Sequence, residues 1–66
     1  MNNKKFGENL KKIRQDKGLS VEQLSELSGL HVVSISLLEN GKNKPRTGTI
    51  YKLINALGCK LEDLTE

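Results

Sequence analysis

The sequence is nearly without cysteine, proline and aromatic residues: one Cys, one Pro, one Tyr, one Phe and no Trp in 66 residues. A single cysteine, Cys59, excludes an internal disulfide and a zinc site built on cysteines. The setting expected from this is reducing and cytoplasmic, in keeping with the lack of a signal-like apolar N-terminus. No apolar run approaches the roughly 20 residues that span a bilayer, so no membrane role is expected. One histidine, one cysteine and one tyrosine stand isolated, and there is no glycine-rich phosphate loop. Catalysis needs converging groups in a pocket, so neither an enzyme nor a small-molecule substrate is expected, and no cofactor or metal is implied. What is present is regularly spaced Leu, Ile and Val, which argue for order in a chain near the lower size limit for an unstapled core.

The net charge of +3 is modest, so its distribution carries more information than its size. Residues 1–20 hold Lys4, Lys5, Lys11, Lys12, Arg14 and Lys17 against Glu8 and Asp16, a net of +4. Residues 21–39 hold only Glu22, Glu26 and Glu39, and residues 40–59 return to +4 through Lys42, Lys44, Arg46 and Lys52. Two basic blocks flank an acidic centre. That layout suits phosphate grips on either side of a groove-reading element; two solvated surfaces of a lysine-rich protein would give the same count.

Apolar periodicity predicts five helices. Met1–Lys5 reads as a polar arm. The first helix runs from about Lys4 to Lys17, with Phe6, Leu10 and Ile13 on one face, and Gly18 ends it. Ser20 and Gln23 have the spacing of a capping box, so the second helix spans about Val21 to Ser28 with Leu24 and Ser28 inward. Gly29 supplies the positive φ of a tight helix-to-helix turn, and Ser25 is small enough to let the next helix approach. The third helix spans about Val32 to Asn40. At 100° per residue Ile35 and Leu38 face inward, and Val33, Ser36, Leu37 and Asn40 face outward with Val32 at the edge. Lys42 to Arg46 is a basic loop in which Pro45 delays the next helix. The fourth helix covers about Thr47 to Leu57, with Thr47 as N-cap and Ile50, Leu53, Ile54 and Leu57 at helical spacing. A last short helix, about Leu61 to Thr65, adds Leu61 and Leu64 to the core. The expected fold is a compact all-α five-helix bundle forming one domain, residues 1–66, organised around residues 20–40.

The segments LKKIRQDKGLSVEQLSELSGL, SISLLENGKNKP, LINALG and LEDL carry a resemblance to the phage repressor and Cro-like helix-turn-helix family (Xre type), over nearly the whole chain from Phe6 to Leu64. The resemblance implies a lambda-repressor-like fold and a double-stranded DNA partner, with the third helix in the major groove. By the same resemblance Val21, Val32, Val33, Ser36 and Leu37 occupy base-facing positions. Asn40, Lys42, Lys44 and Arg46 match the phosphate-contacting loop, and Ser20 and Gln23 match the backbone-gripping start of the second helix. Arg14 and Glu39 match an ion pair with a role in the fold. The implied function is that of a sequence-specific transcriptional regulator, a repressor binding a palindromic operator as a homodimer, with the Leu57–Leu61 region and the last helix as the interface.

The chain departs from the family's pattern where bases are read. Val32, Val33 and Leu37 stand where Gln, Arg, Asn or Lys is usual, and Val21 where glutamine is common. His31 replaces the usual Ser or Thr cap, and Arg46–Thr47 replaces a Ser-Leu entry to the fourth helix. Two readings of the apolar face follow: contact with thymine C5-methyl groups, or a patch with Leu27 that binds a protein partner, as in an antitoxin. Of the remaining residues, His31 reads as a helix-end cap or a phosphate contact. Tyr51 reads as half-buried, or as a phosphate or dimer contact, and Cys59 as a buried thiol.

Overall fold

Five helices and no strand make up residues 2–66 of the computed structural model, which are the residues described: α1 (Asn3–Asp16), α2 (Val21–Ser28), α3 (Val32–Glu39), α4 (Thr47–Leu57) and α5 (Leu61–Thr65). The inward residues of each helix meet in one core of Phe6, Leu10, Leu24, Ile35, Leu38, Ile50, Leu53, Leu57 and Leu64. Each such side chain contributes about 1.5–3 kcal/mol by leaving water. α1 packs against α3 and α5, and α2 packs against α3 and α4. The helix pair α2–α3 is thus held by the core on its inner side, by α1 through α3 and by α4 through α2. No helix among the described residues is long and apolar enough to cross a membrane.

Several sequence expectations are corrected in detail. Of the polar arm expected over Met1–Lys5, Met1 lies outside the described residues, and the rest is the start of α1. The Asn2 side chain caps that helix by accepting from the Lys5 N–H at 3.1 Å. α1 ends at Asp16 and α3 at Glu39, each one residue early, with Lys17 and Asn40 as C-caps. Thr47 is the first helical residue rather than the cap. Arg46 holds the cap position in an extended conformation without a side-chain bond, because a guanidinium has only donors and cannot accept from a helix-start N–H. Leu61 does not join the core: it is 43% exposed, whereas Leu57 is buried at 4%. In so short a helix the inward direction is taken by Leu64, with no exposure at all. Ile13, Ser28 and Cys59 are half-buried, and Tyr51 is exposed.

Two contacts that periodicity does not reveal set how α1 sits. Gly7 is buried where α1 crosses the end of α3; a Cβ there would lie 2.3 Å from the Leu38 carbonyl oxygen and 2.6 Å from that of Glu39. Only glycine permits that approach. Further along α1, the Asn9 side-chain amide donates to the Leu64 carbonyl at 2.9 Å, fastening α5 across the bundle.

Candidate nucleic-acid interface

The α2–α3 pair is built by short-range hydrogen bonds. Ser20 Oγ accepts from the Gln23 N–H at 3.0 Å, and Gln23 Oε1 accepts from the Ser20 N–H at 2.8 Å, a reciprocal capping box. These bonds satisfy two of the amides left open at a helix start. They leave the Ser20 hydroxyl proton and the Gln23 amide NH₂ unused by the capping box, on two exposed residues. α2 closes on Gly29 at φ 75°, in the left-handed region. The turn is then stitched by the Ser25 hydroxyl donating to the Leu30 carbonyl, and by the Leu30 N–H donating to Ser28 Oγ at 3.2 Å. Ser25 therefore bonds the turn as well as leaving room for it. His31 caps α3, its Nδ1 accepting from the Val33 N–H at 3.1 Å. Only a ring nitrogen without a proton can accept in this way.

The outer side of this pair is a shallow groove of about 370 Å³ lined by Val21, Glu22, Val32, Val33, Ser36, Leu37 and Asn40. All five residues singled out as base-facing, Val21, Val32, Val33, Ser36 and Leu37, line it together with Asn40. Val33 is 55% exposed, while Val21, Val32 and Leu37 are half-buried and form its walls. Glu22 is an addition that sequence reading missed. Its position in the first turn of α2, one residue after Val21, was the available signal. Asn40 is less free than its exposure suggests, because its Nδ2 donates to the Ser36 carbonyl at 2.9 Å.

The loop after α3 leaves the groove at Asn40. The Lys42 N–H donates to the Leu37 carbonyl at 2.9 Å, which ties the loop's first residue to α3. Lys42, Lys44 and Arg46 are exposed, whereas Pro45 is buried. The proline anchors the loop beside Leu30 and Leu38 while the cations on either side of it remain in solvent. Ser20 and Gln23, both exposed, belong to the same first turn of α2 as Val21 and Glu22, which line the groove.

Arg14 and Glu39 fix this surface to the rest of the fold. Arg14 Nε donates to Glu39 Oε2 at 2.7 Å and Nη2 donates to Oε1 at 3.1 Å, a two-pronged pair. Nη1 donates to the Leu19 carbonyl at 2.7 Å. The Glu39 carboxylate holds the guanidinium charged even more firmly than usual, against the effect of burial. With Arg14 only 8% exposed, this group joins α1, the α1–α2 turn and the end of α3 from inside the fold. It is not an outward cation.

Two helices joined by a glycine turn, with a groove on the second helix and a basic loop beyond it, define a helix-turn-helix domain. The chain belongs to the helix-turn-helix family of repressor and Cro type, whose family model matches residues 10–64. Over 60 residues it is 43% identical to the HTH-type transcriptional repressor RghR of Bacillus subtilis, a match covering 89% of this chain and 44% of that protein. Over 57 residues it is 40% identical to the HTH-type transcriptional regulator PuuR of Escherichia coli K12, covering 86% and 31%. The chain therefore spans less than half the length of these two relatives. Among solved structures, the restriction-modification controller protein C.AhdI from Aeromonas hydrophila superposes with a TM-score of 0.89 at 38% identity, over 92% of each chain. These relatives are named as transcriptional regulators, not enzymes, and this chain matches them over its helix-turn-helix domain.

Proposed function

We propose that residues 1–66 act as one sequence-specific reader of double-stranded DNA, with α3 in the major groove, as a transcriptional repressor. Val21, Val32, Val33, Ser36 and Leu37 face the bases. Ser20, Gln23, Asn40, Lys42, Lys44 and Arg46 hold phosphates on either side, and Arg14 and Glu39 keep the reading surface in register. The observation that supports this reading is that the groove's lining is continuous in sequence with polar groups in solvent: the capped start of α2 precedes Val21, and the anchored loop after Asn40 carries exposed cations. Phosphate contacts position a reader while base contacts specify.

A single reader of this size buries only roughly 600–1,000 Å² on DNA, which favours two copies on a palindromic operator with half-sites about one helical turn apart. The exposed Leu61 at the start of α5 is the side chain offered for that homodimer; Leu57 is enclosed in the core and unavailable. Sedimentation over a concentration series, with and without operator, tests the dimer: a monomer under both conditions overturns it.

Selection from random duplex DNA at two salt concentrations tests DNA binding. A palindrome with a steep salt slope is expected, and Lys44→Ala should weaken all sequences about equally and reduce the slope by roughly one. A second reading, a protein-interaction module such as an antitoxin that uses Val32, Val33 and Leu37, is favoured by the exposure of Val33 and Leu27. The absence of any enriched duplex at either salt concentration would select it.

A further inference from the structure

The groove on α3 is poor in the side chains that usually read purines. Discrimination of adenine or guanine uses an amide or guanidinium making two parallel hydrogen bonds. No arginine, lysine or glutamine lines this groove. Its one amide, Asn40, already donates to the Ser36 carbonyl from the side-chain nitrogen. What the groove offers instead is a mostly apolar lining of Val21, Val32, Val33 and Leu37. Among the groups a base pair displays in the major groove, only the C5-methyl of a pyrimidine is apolar.

We propose that this groove recognises the C5-methyl group of a pyrimidine, with Val33 as the principal contact, so that 5-methylcytosine serves in place of thymine. The proposal rests on the DNA-binding reading above. DNA is favoured over an apolar protein partner as the occupant because the loop that leaves the groove carries Lys42, Lys44 and Arg46 in solvent, which complements flanking phosphates. The Glu22 carboxylate at the groove accepts only from an amino donor. Thymine·adenine presents adenine N6 on the partner base and 5-methylcytosine·guanine presents cytosine N4 beside the methyl, so the exposed Glu22 accepts from either pair only by reaching to a different place. Ser36 can donate or accept and likewise tolerates both.

The test uses the intact protein and the duplex it enriches from a random pool, with single pyrimidines exchanged. Deoxyuridine for thymine deletes the methyl and leaves every hydrogen-bonding group in place. Losing one buried methyl should weaken binding about fourfold at one or more thymines of each half-site. Replacing such a thymine·adenine pair by cytosine·guanine should also weaken binding, and 5-methylcytosine there should recover about fourfold over cytosine. Val33→Ala, at a position more than half exposed and so tolerant of truncation, should bring the thymine-to-uracil ratio close to one with the salt slope unchanged. Equal binding of thymine and deoxyuridine duplexes at every position overturns the methyl reading and leaves DNA binding standing. Failure to enrich any duplex at low salt overturns both.

Discussion

Replacing Gly7 with alanine is the sharpest test of how the reading surface is held. The added Cβ would lie 2.3 Å from the Leu38 carbonyl oxygen, 2.6 Å from the Glu39 oxygen and 2.9 Å from the Glu39 carbonyl carbon. All three are backbone atoms, so no side-chain rotation relieves the overlap. α1 must move by roughly 1 Å from the end of α3 to restore ordinary contact at about 3.5 Å or more. That movement strains the two-pronged Arg14–Glu39 pair and loosens Phe6 and Leu10 against the core. Overpacking of this kind costs about 1–3 kcal/mol, and an unyielding backbone puts Gly7 at or above the upper end. Alanine's better helix propensity returns about 1 kcal/mol. The net loss is therefore about 2 kcal/mol, and at about 4–8 °C per kcal/mol for a domain of this size, Tm should fall by about 10 °C. Thermal and urea unfolding followed by far-ultraviolet circular dichroism measures it. Gly48, in the first turn of α4, has nothing within 4 Å of a built Cβ. Gly48→Ala should accordingly raise stability by about 0.4–1 kcal/mol. If Gly7→Ala also stabilises, helix propensity outweighs the close approach and the packing argument is wrong.

Other perturbations give distinct outcomes. Glu39→Ala removes two of the three acceptors of the buried Arg14 guanidinium and should cost about 3 kcal/mol in urea unfolding; a loss below about 1 kcal/mol would mean that the pair behaves as a surface one. Ser20→Ala deletes the hydroxyl that caps α2 and should lower stability by about 1 kcal/mol, which thermal unfolding resolves. Partial burial, reinforced by Asp63, pushes the Cys59 thiol above its ordinary value. Because burial disfavours the thiolate, the pH profile of alkylation should lie to the alkaline side of a free cysteine's and shift back in urea. Any stability linked to the neutral thiol is present below the free-thiol range and is lost as pH rises through the folded-state value.

The sequence alone determined most of what depends on neighbours along the chain, the caps at Asn2 and Arg46 excepted. Apolar residues at helical spacing marked Phe6, Leu10, Leu24, Ile35, Leu38, Ile50, Leu53 and Leu57 for the core, because burial of one helix face needs only local periodicity. Ser20 with Gln23, and Gly29 after α2, were legible because caps and tight turns are chemistry within a few residues. The tertiary structure decided what depends on distances between helices. Gly7 was silent in the sequence because its significance is the nearness of a carbonyl more than thirty positions away. The choice of Leu64 over Leu61 for the core follows from where α1 lies against α5. The groove itself belongs to this second kind. Val21 and Glu22 come from one helix, and Val32, Val33 and Leu37 from the next. Only the angle set by the glycine turn and the core beneath brings them into one wall, and only the folded geometry shows that Asn40, the one amide beside them, already donates to the backbone.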